Sequence, residues 1–353
     1  MATVLLLGDS EELSAAFRRL GVTVRTAPAG GAGEGLRGLV EKHGADIVVP
    51  LTEDVDVDAL EALEDSGVTV APSARGCALT VTRDRLRTTA NEELGLPTTA
   101  YHFADTRGEF AAAVEELGLP CIVKPATFGS GHAVVRTEAD LAGAWQGDRV
   151  MVERFVDFDH ELTMLAVRSV DPATGRLATW FCEPLGHTHR EGQLAAAWQP
   201  MEVNQRALEN ARSMTARITN ALGGRGLFTV EMFVAGEDVY FSAVTPRPHT
   251  TGVVTLCTQR FSQWDLHARA ILGLPIDTTL ISPGACAPFT GSPETTGLAA
   301  ALAVPDAVVF SLMGDGSCGL HFAEIETAAR HGAACVIVIG NDLRWNAEHQ
   351  IQL

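Results

Sequence analysis

The 353-residue sequence contains no apolar run long enough to cross a bilayer, and its seven cysteines (77, 121, 182, 257, 286, 318 and 335) form no Cys-x-x-Cys pair. With no secretory leader in front of them, reduced and mostly buried thiols in a cytoplasmic protein are expected. An excess of basic residues is also missing. There are 26 Lys and Arg against 44 Asp and Glu, for a formal charge of −18 and a pI near 5.0. That balance argues against a general nucleic-acid or anionic-membrane binder, so a phosphorylated ligand needs a local cluster of Arg and Lys. No GxGxxG follows Gly8, the residue closing the first apolar strand, and a dinucleotide site is not expected.

What the first 82 residues do have is alternation. Strands are predicted at 3–9, 22–24, 46–50 and 68–71, with helices at 11–20 and 58–66 between them and an Ala- and Gly-rich loop over 27–38. Short apolar strands alternating with helices imply a doubly wound parallel sheet. Further on, a helix is predicted from Arg83 to 95 and strands at 101–104, 121–125, 149–153, 162–170 and 177–183. An amphipathic helix over 204–222 ends at Gly223-Gly224.

The stretch Gly226 to Thr255 concentrates the chemistry. Phe228, Val230, Met232 and Val234 alternate along a strand, Gly236-Glu237-Asp238 turns, and Val239-Tyr240-Phe241 returns. Glu231 lies mid-strand among apolar neighbours, where a carboxylate needs a partner or a cation. Thr245-Pro-Arg-Pro-His249 then projects Arg247 and His249 from a backbone stiffened by two prolines. An acid on a hairpin beside a fixed cation suits magnesium and phosphate oxygens. Lys124, at the end of the apolar strand CIVKP, has its stem buried and its ammonium aimed at a partner, and Thr127-Phe-Gly-Ser-Gly-His132 is a glycine-containing loop whose amides suit phosphate.

These blocks, GLFTVEMFV, FSAVTPRPHTTGVVT, LGLPCIVKPA and RVMVERFVDFDHELTMLAV among them, resemble the ATP-grasp ligase core of formate-dependent phosphoribosylglycinamide formyltransferases over about residues 3–287. The resemblance implies an α/β, ATP-grasp architecture: an N-terminal doubly wound domain (1–82), then an ATP-grasp domain (83–287) with subdomains of about 98–150 and 151–287. It implies ATP and Mg2+ as cofactors and a small-molecule carboxylate and amine as partners, in a cytoplasmic homodimer. By residue, it implies Arg83, Lys124 and the loop Gly129, Ser130 and Gly131 on the phosphates. Glu153 to Val156 would face adenine through backbone groups, Glu161 the ribose, and Glu231 magnesium. Lys124 and Arg247 would be catalytic, and Glu12, Glu53, Arg247 and Thr250 would face the substrate.

Three positions depart from that pattern. Ala243 stands where a second magnesium carboxylate is implied, with Asp238 or Glu237 as turn residues that could substitute. Leu51 and Thr250 replace two acids that face the amine substrate. The phosphate loop is shorter and lacks a lysine, leaving His132 as its nearest basic residue. Gly186-His187-Thr-His189 resembles a substrate-side loop, its histidines read as structural or exposed rather than as metal ligands.

After Leu274-Pro275 the resemblance fades. Gly314-Asp-Gly316, then twenty-four residues (317–340), then Asn341-Asp342 is similar to the metal-diphosphate motif of thiamin-diphosphate enzymes of the acetolactate-synthase type. It implies Asp315, Asn341 and Asp342 as the motif residues of a C-terminal βαβ fragment (288–353). Three functions follow: an ATP-dependent carboxylate–amine ligase working through an acyl phosphate, with an altered substrate; a nucleotide-binding relative with weak or no turnover; or a partial thiamin-diphosphate-dependent lyase-like subunit.

Overall fold

Val4 to Leu7 are fully buried, as a parallel strand covered by helices on both faces requires. This computed structural model describes residues 2–29, 35–127, 132–145, 147–190 and 193–287, together with the backbone of 309–314 and 335–340. The first sheet runs through β1 (Thr3–Leu7), α1 (Glu11–Arg19), β2 (Thr23–Ala27), α2 (Gly35–His43), β3 (Ile47–Pro50), α3 (Val57–Asp65) and β4 (Thr69–Val70), with parallel order β2-β1-β3-β4. Helix α1 starts where Ser10 Oγ accepts the Leu13 amide, with Glu11 and Glu12 in its first turn and Arg18 and Arg19 in its last. Residues 35–38, expected in a loop, instead open α2. Leu36, Leu39 and Val40 share one buried face, and that spacing outweighs the local glycine content.

Two helices, α4 (Ala74–Thr80) and α5 (Arg83–Thr88), lead out of this sheet, α5 continuing as a π-helical turn over Thr89–Glu93. A second, antiparallel sheet follows: β5 (Tyr101–Ala104), α6 (Arg107–Leu117), β6 (Cys121–Pro125), β7 (Ala133–Val135), the single turn α7 (Leu141–Ala144) and β8 (Val150–Arg154). Its order is β5-β8-β6-β7. Helix α6, held at its start by a Thr106/Glu109 capping box, buries Phe110, Ala113, Val114 and Leu117 against it.

The third sheet has seven antiparallel strands. They are β9 (His160–Val170), β10 (Leu177–Phe181), β11 (Leu185–Arg190), β12 (Gln193–Gln199), then, after α8 (Gln205–Leu222), β13 (Gly226–Ala235) and β14 (Asp238–Thr245), and, after α9 (Thr255–Thr258) and α10 (Gln263–Ile271), β15 (Gly284–Cys286). The path is β14-β13-β9-β11-β12-β15, with β10 also paired to β9. Gly186–His189, expected as a loop, therefore lies inside β11. Met214, Ile218 and Leu222 of α8 pack on one face against Phe228, Val230 and Met232, while Leu266 and Ala270 of α10 cover Leu165, Val167 and Leu227 on the other. In the tail, β16 (Val309–Gly314) and β17 (Cys335–Gly340) pair in parallel. No helix among the described residues is long and apolar enough to cross a membrane.

Period-2 alternation aims the site residues. Cross-strand pairs Glu161↔His187, Glu161↔Phe233 and Thr163↔Glu231 put these five side chains on one face of the third sheet. Gly186, next to His187, lies so close to Trp198 that a Cβ there would come within 2.3 Å of the indole ring. Gly186→Ala should therefore destabilise the fold by about 1–3 kcal/mol through overpacking. The expected reading is a lower urea midpoint at unchanged slope; a midpoint equal to the parent's would mean that the indole moves aside without cost.

Candidate active site

The second and third sheets enclose a cleft of about 700 Å³. One wall carries Arg83 and Arg87 from α5, Lys124 from β6, His132 and Arg136. The other carries Glu161, His187, His189, Glu231, Ala243 and His249, with Glu53 reaching in from the segment after β3.

The cationic wall is built on a carboxylate. Glu153, on β8, is 3% exposed. Burial raises its pKa, but Lys124 Nζ at 2.5 Å and the Arg87 guanidinium outweigh that and hold it down to about 2. Thr99 Oγ1 donates a further hydrogen bond at 3.1 Å. Arg87 also donates to the carbonyls of Phe241, at 3.4 Å, and Ser242, at 3.5 Å, both on β14. The partner of Lys124 is thus Glu153, whose charge fixes the ammonium at the cleft wall. Arg83 Nε donates to the Pro125 carbonyl at 2.9 Å, which ties α5 to the end of β6.

On the opposite wall, Glu231 Oε1 is buried and accepts no hydrogen bond. His249 Nδ1 is 3.3 Å away, close enough for an ion pair. Burial raises the Glu231 pKa, and the imidazoles of His249, His187 and His189 bring it down to about 2. Burial lowers the His249 pKa, yet Glu231 leaves it above the ordinary imidazole value. An unsatisfied buried carboxylate oxygen fits a hard cation. The cross-strand partner of Glu231 is Ala243, which offers only a methyl group. Neither turn acid substitutes for it: Glu237 pairs with Arg206 at 3.1 Å, Asp238 is exposed at the start of β14, and neither lines the cleft.

Glu161 accepts from the His189 amide at 3.1 Å and faces its Nδ1 at 3.1 Å, while His187 Nδ1 lies 3.3 Å from Thr163 Oγ1. Arg247 is 6% exposed. Its Nη2 is 3.5 Å from Glu53 Oε1, and its Nε and Nη1 have no hydrogen-bond partner. The structure thus brings Arg83, Lys124, Glu161, Glu231 and Glu53 to one cleft. Glu153 and Arg247 stand one contact removed, through Lys124 and Glu53. Val156 is half-buried in the segment after β8, Thr250 is exposed at the start of a largely buried 3-10 turn, and Glu12 is exposed on α1 beside Ser10. None of these three lines the cleft. Gly129, Ser130, Gly131, Asp315, Asn341 and Asp342 lie outside the described residues. Arg87 is a cleft residue that sequence reasoning missed, while His187 and His189, read there as structural or exposed on a substrate-side loop, also line the cleft. The signal for Arg87 was its spacing of four from Arg83, which puts both on one helix face.

Comparison with known proteins bears on the family and the fold. The family model described as an ATP-grasp domain matches residues 89–264, and that of the thiamine pyrophosphate enzyme C-terminal TPP binding domain matches residues 277–353. The formate-dependent phosphoribosylglycinamide formyltransferase of Corynebacterium glutamicum (strain R) is 50% identical over 340 residues, covering 86% of this chain and 83% of its own. Among solved structures, the glycinamide-RNase-transformylase T of Mycobacterium tuberculosis superimposes with a TM-score of 0.73 at 36% identity, over 86% of this chain and 90% of that one. The N5-carboxyaminoimidazole ribonucleotide synthetase of Thermus thermophilus gives 0.70 at 28% identity, over 81% and 82%.

Glu153→Gln should cost about 3–5 kcal/mol in urea unfolding, because it leaves the buried Arg87 and the half-buried Lys124 without their anion. The native pKa of about 2 lies below the ordinary 4.5, so this contribution is full above pH 4.5 and disappears as pH falls toward 2. The parent should lose stability across that window more steeply than the variant. A Gln variant with the parental midpoint and acid profile would contradict this.

Proposed function

The chain belongs to the formate-dependent phosphoribosylglycinamide formyltransferase family, built on an ATP-grasp core, and from that membership we propose that it joins a carboxylate to an amine at the expense of ATP. The observation that carries the reading is the opposition, within one cleft, of Lys124 and Arg83 to Glu161 and Glu231. Two fixed cations suit the phosphates of a nucleotide, and a carboxylate at the rim suits its ribose hydroxyls.

In this reading a carboxylate oxygen attacks the γ-phosphorus of ATP, ADP leaves, and an acyl phosphate forms. The amine nitrogen then attacks the acyl carbon, loses a proton, and phosphate departs. Lys124 and Arg83 hold the phosphate oxygens as charge redistributes, and the fixed pairing of Lys124 with Glu153 means that no side chain must reorganise at that moment. Glu161 orients the ribose, and the backbone from Glu153 to Val156 meets the adenine edge. Glu231 would hold Mg2+, which when bound neutralises charge on the phosphates. Glu53, which lines the cleft, and Arg247, paired with it, are the substrate-side group, with Arg247 bearing on the carboxylate, while Glu12 and Thr250 stand outside the cleft. Leu51 and Thr250 remove two acids from that side, so the amine differs from glycinamide ribonucleotide. A screen of ATP consumption over several amines, with formate and other carboxylates, tests the proposal. Hydrolysis that requires both partners supports it, and no consumption with any pair overturns it.

A nucleotide-binding protein with little turnover is favoured by one observation, the Ala243 methyl opposite Glu231. The thiamin-diphosphate alternative would use Asp315, Asn341 and Asp342. Restoring the second acid separates the first two readings. Ala243→Glu should raise ATP-dependent turnover about tenfold, roughly 1.4 kcal/mol off the barrier, with a smaller effect on ATP affinity. A folded variant that binds ATP with no gain in turnover would show that this carboxylate is not what limits the reaction.

A further inference from the structure

Three side chains of metal-binding type converge at the cleft from two adjacent strands. Glu161 on β9 is the cross-strand partner of His187 on β11, and His189 follows two residues on. One donor atom from each lies within 4.8 Å of the others, and His189 Nδ1 is already 3.1 Å from Glu161 Oε1. The two imidazoles meet edge to face with 5.1 Å between centroids. A dication with bonds of about 2.0–2.2 Å needs tetrahedral donors roughly 3.3–3.6 Å apart. Small side-chain rotations separate the observed arrangement from that one.

We propose that Glu161, His187 and His189 form a binding site for a zinc-class dication. Two imidazole nitrogens and one carboxylate oxygen are a donor set that zinc takes with its fourth position open, whereas magnesium prefers oxygen alone. All three residues line the cleft, so the open position faces the space where a ligand binds. His187 is 3% exposed, and its contact with Thr163 Oγ1 at 3.3 Å is the outer-shell hydrogen bond that orients a ligating ring and leaves its other nitrogen for the ion. Both strands are internal to the seven-stranded sheet, which gives the donors a rigid base. On binding, the ion replaces the His189–Glu161 contact, and any proton on His189 Nδ1 or Nε2 that occupies the ligating position is released. Glu161 is shared with the ligase reading, which gives it to the ribose, so the ion and a nucleotide would compete for it; binding of the ion itself needs no nucleotide and no turnover.

The test uses the full chain stripped of metal by chelation. Zn2+ is titrated by calorimetry, and Co2+ by its visible absorption, which reports a tetrahedral N/O environment. One ion per chain is expected, with His189→Gln and His187→Gln each weakening Zn2+ binding by about tenfold or more and removing the Co2+ bands. Circular dichroism checks that the variants are folded. His189 is partly exposed near the end of β11, so its variant carries the test if His187→Gln does not fold. No binding to the parent at micromolar Zn2+ would overturn the proposal. Binding left unchanged in His189→Gln would overturn it too, assigning the ion to cysteines or to the 277–353 segment.

Discussion

The Glu153 carboxylate takes the Arg87 guanidinium, the Lys124 ammonium and the Thr99 hydroxyl at once, and Arg87 reaches on to two carbonyls of β14. This network joins the two inner strands of the second sheet, β8 and β6, to the edge of the third. A buried carboxylate is tolerable only with such partners, and a buried guanidinium only with such acceptors. Each group therefore requires the others. The network also leaves Lys124 as a pre-positioned cation, 16% exposed at the cleft wall.

The opposite wall follows a different logic. Its residues come from alternation along β9, β11 and β13, so that Glu161, His187 and Glu231 rise from one face while Leu162, Met164, Val230 and Met232 fill the core on the other. Glu231 is held charged by nearby imidazoles but keeps an oxygen without a hydrogen bond. That unsatisfied atom, facing the Ala243 methyl, is where the chain departs most clearly from the metal pair implied by its family resemblance.

Much of the fold was legible in the sequence where apolar period and local stops agreed. The buried run Val4–Leu7, the hairpin through Gly236 and the helix ending at Gly223-Gly224 all read directly. Strand β11 did not, because a strand lining a polar cleft carries His187 and His189 at positions where a core strand would carry valine or isoleucine, and alternation disappears. Helix α10 was missed despite its Ser262-x-x-Asp265 capping box, since it buries Gln263 and His267 among its apolar residues. Lys124 and Glu231 stood out from their local sequence and Arg83 and Glu161 from family resemblance, and all four lie in one cleft. The Glu153 network was not legible, because its partners lie 29 and 66 residues away in sequence, and only folding brings those charges together.

The most direct measurement is a crystal structure of the chain with a non-hydrolysable ATP analogue. The predicted density places the phosphates against Lys124 and Arg83, the ribose hydroxyls on Glu161, and Glu231 facing the phosphate chain across the cleft. Nucleotide bound elsewhere on the molecule, with this cleft empty at saturating analogue, would contradict the assignment of the site.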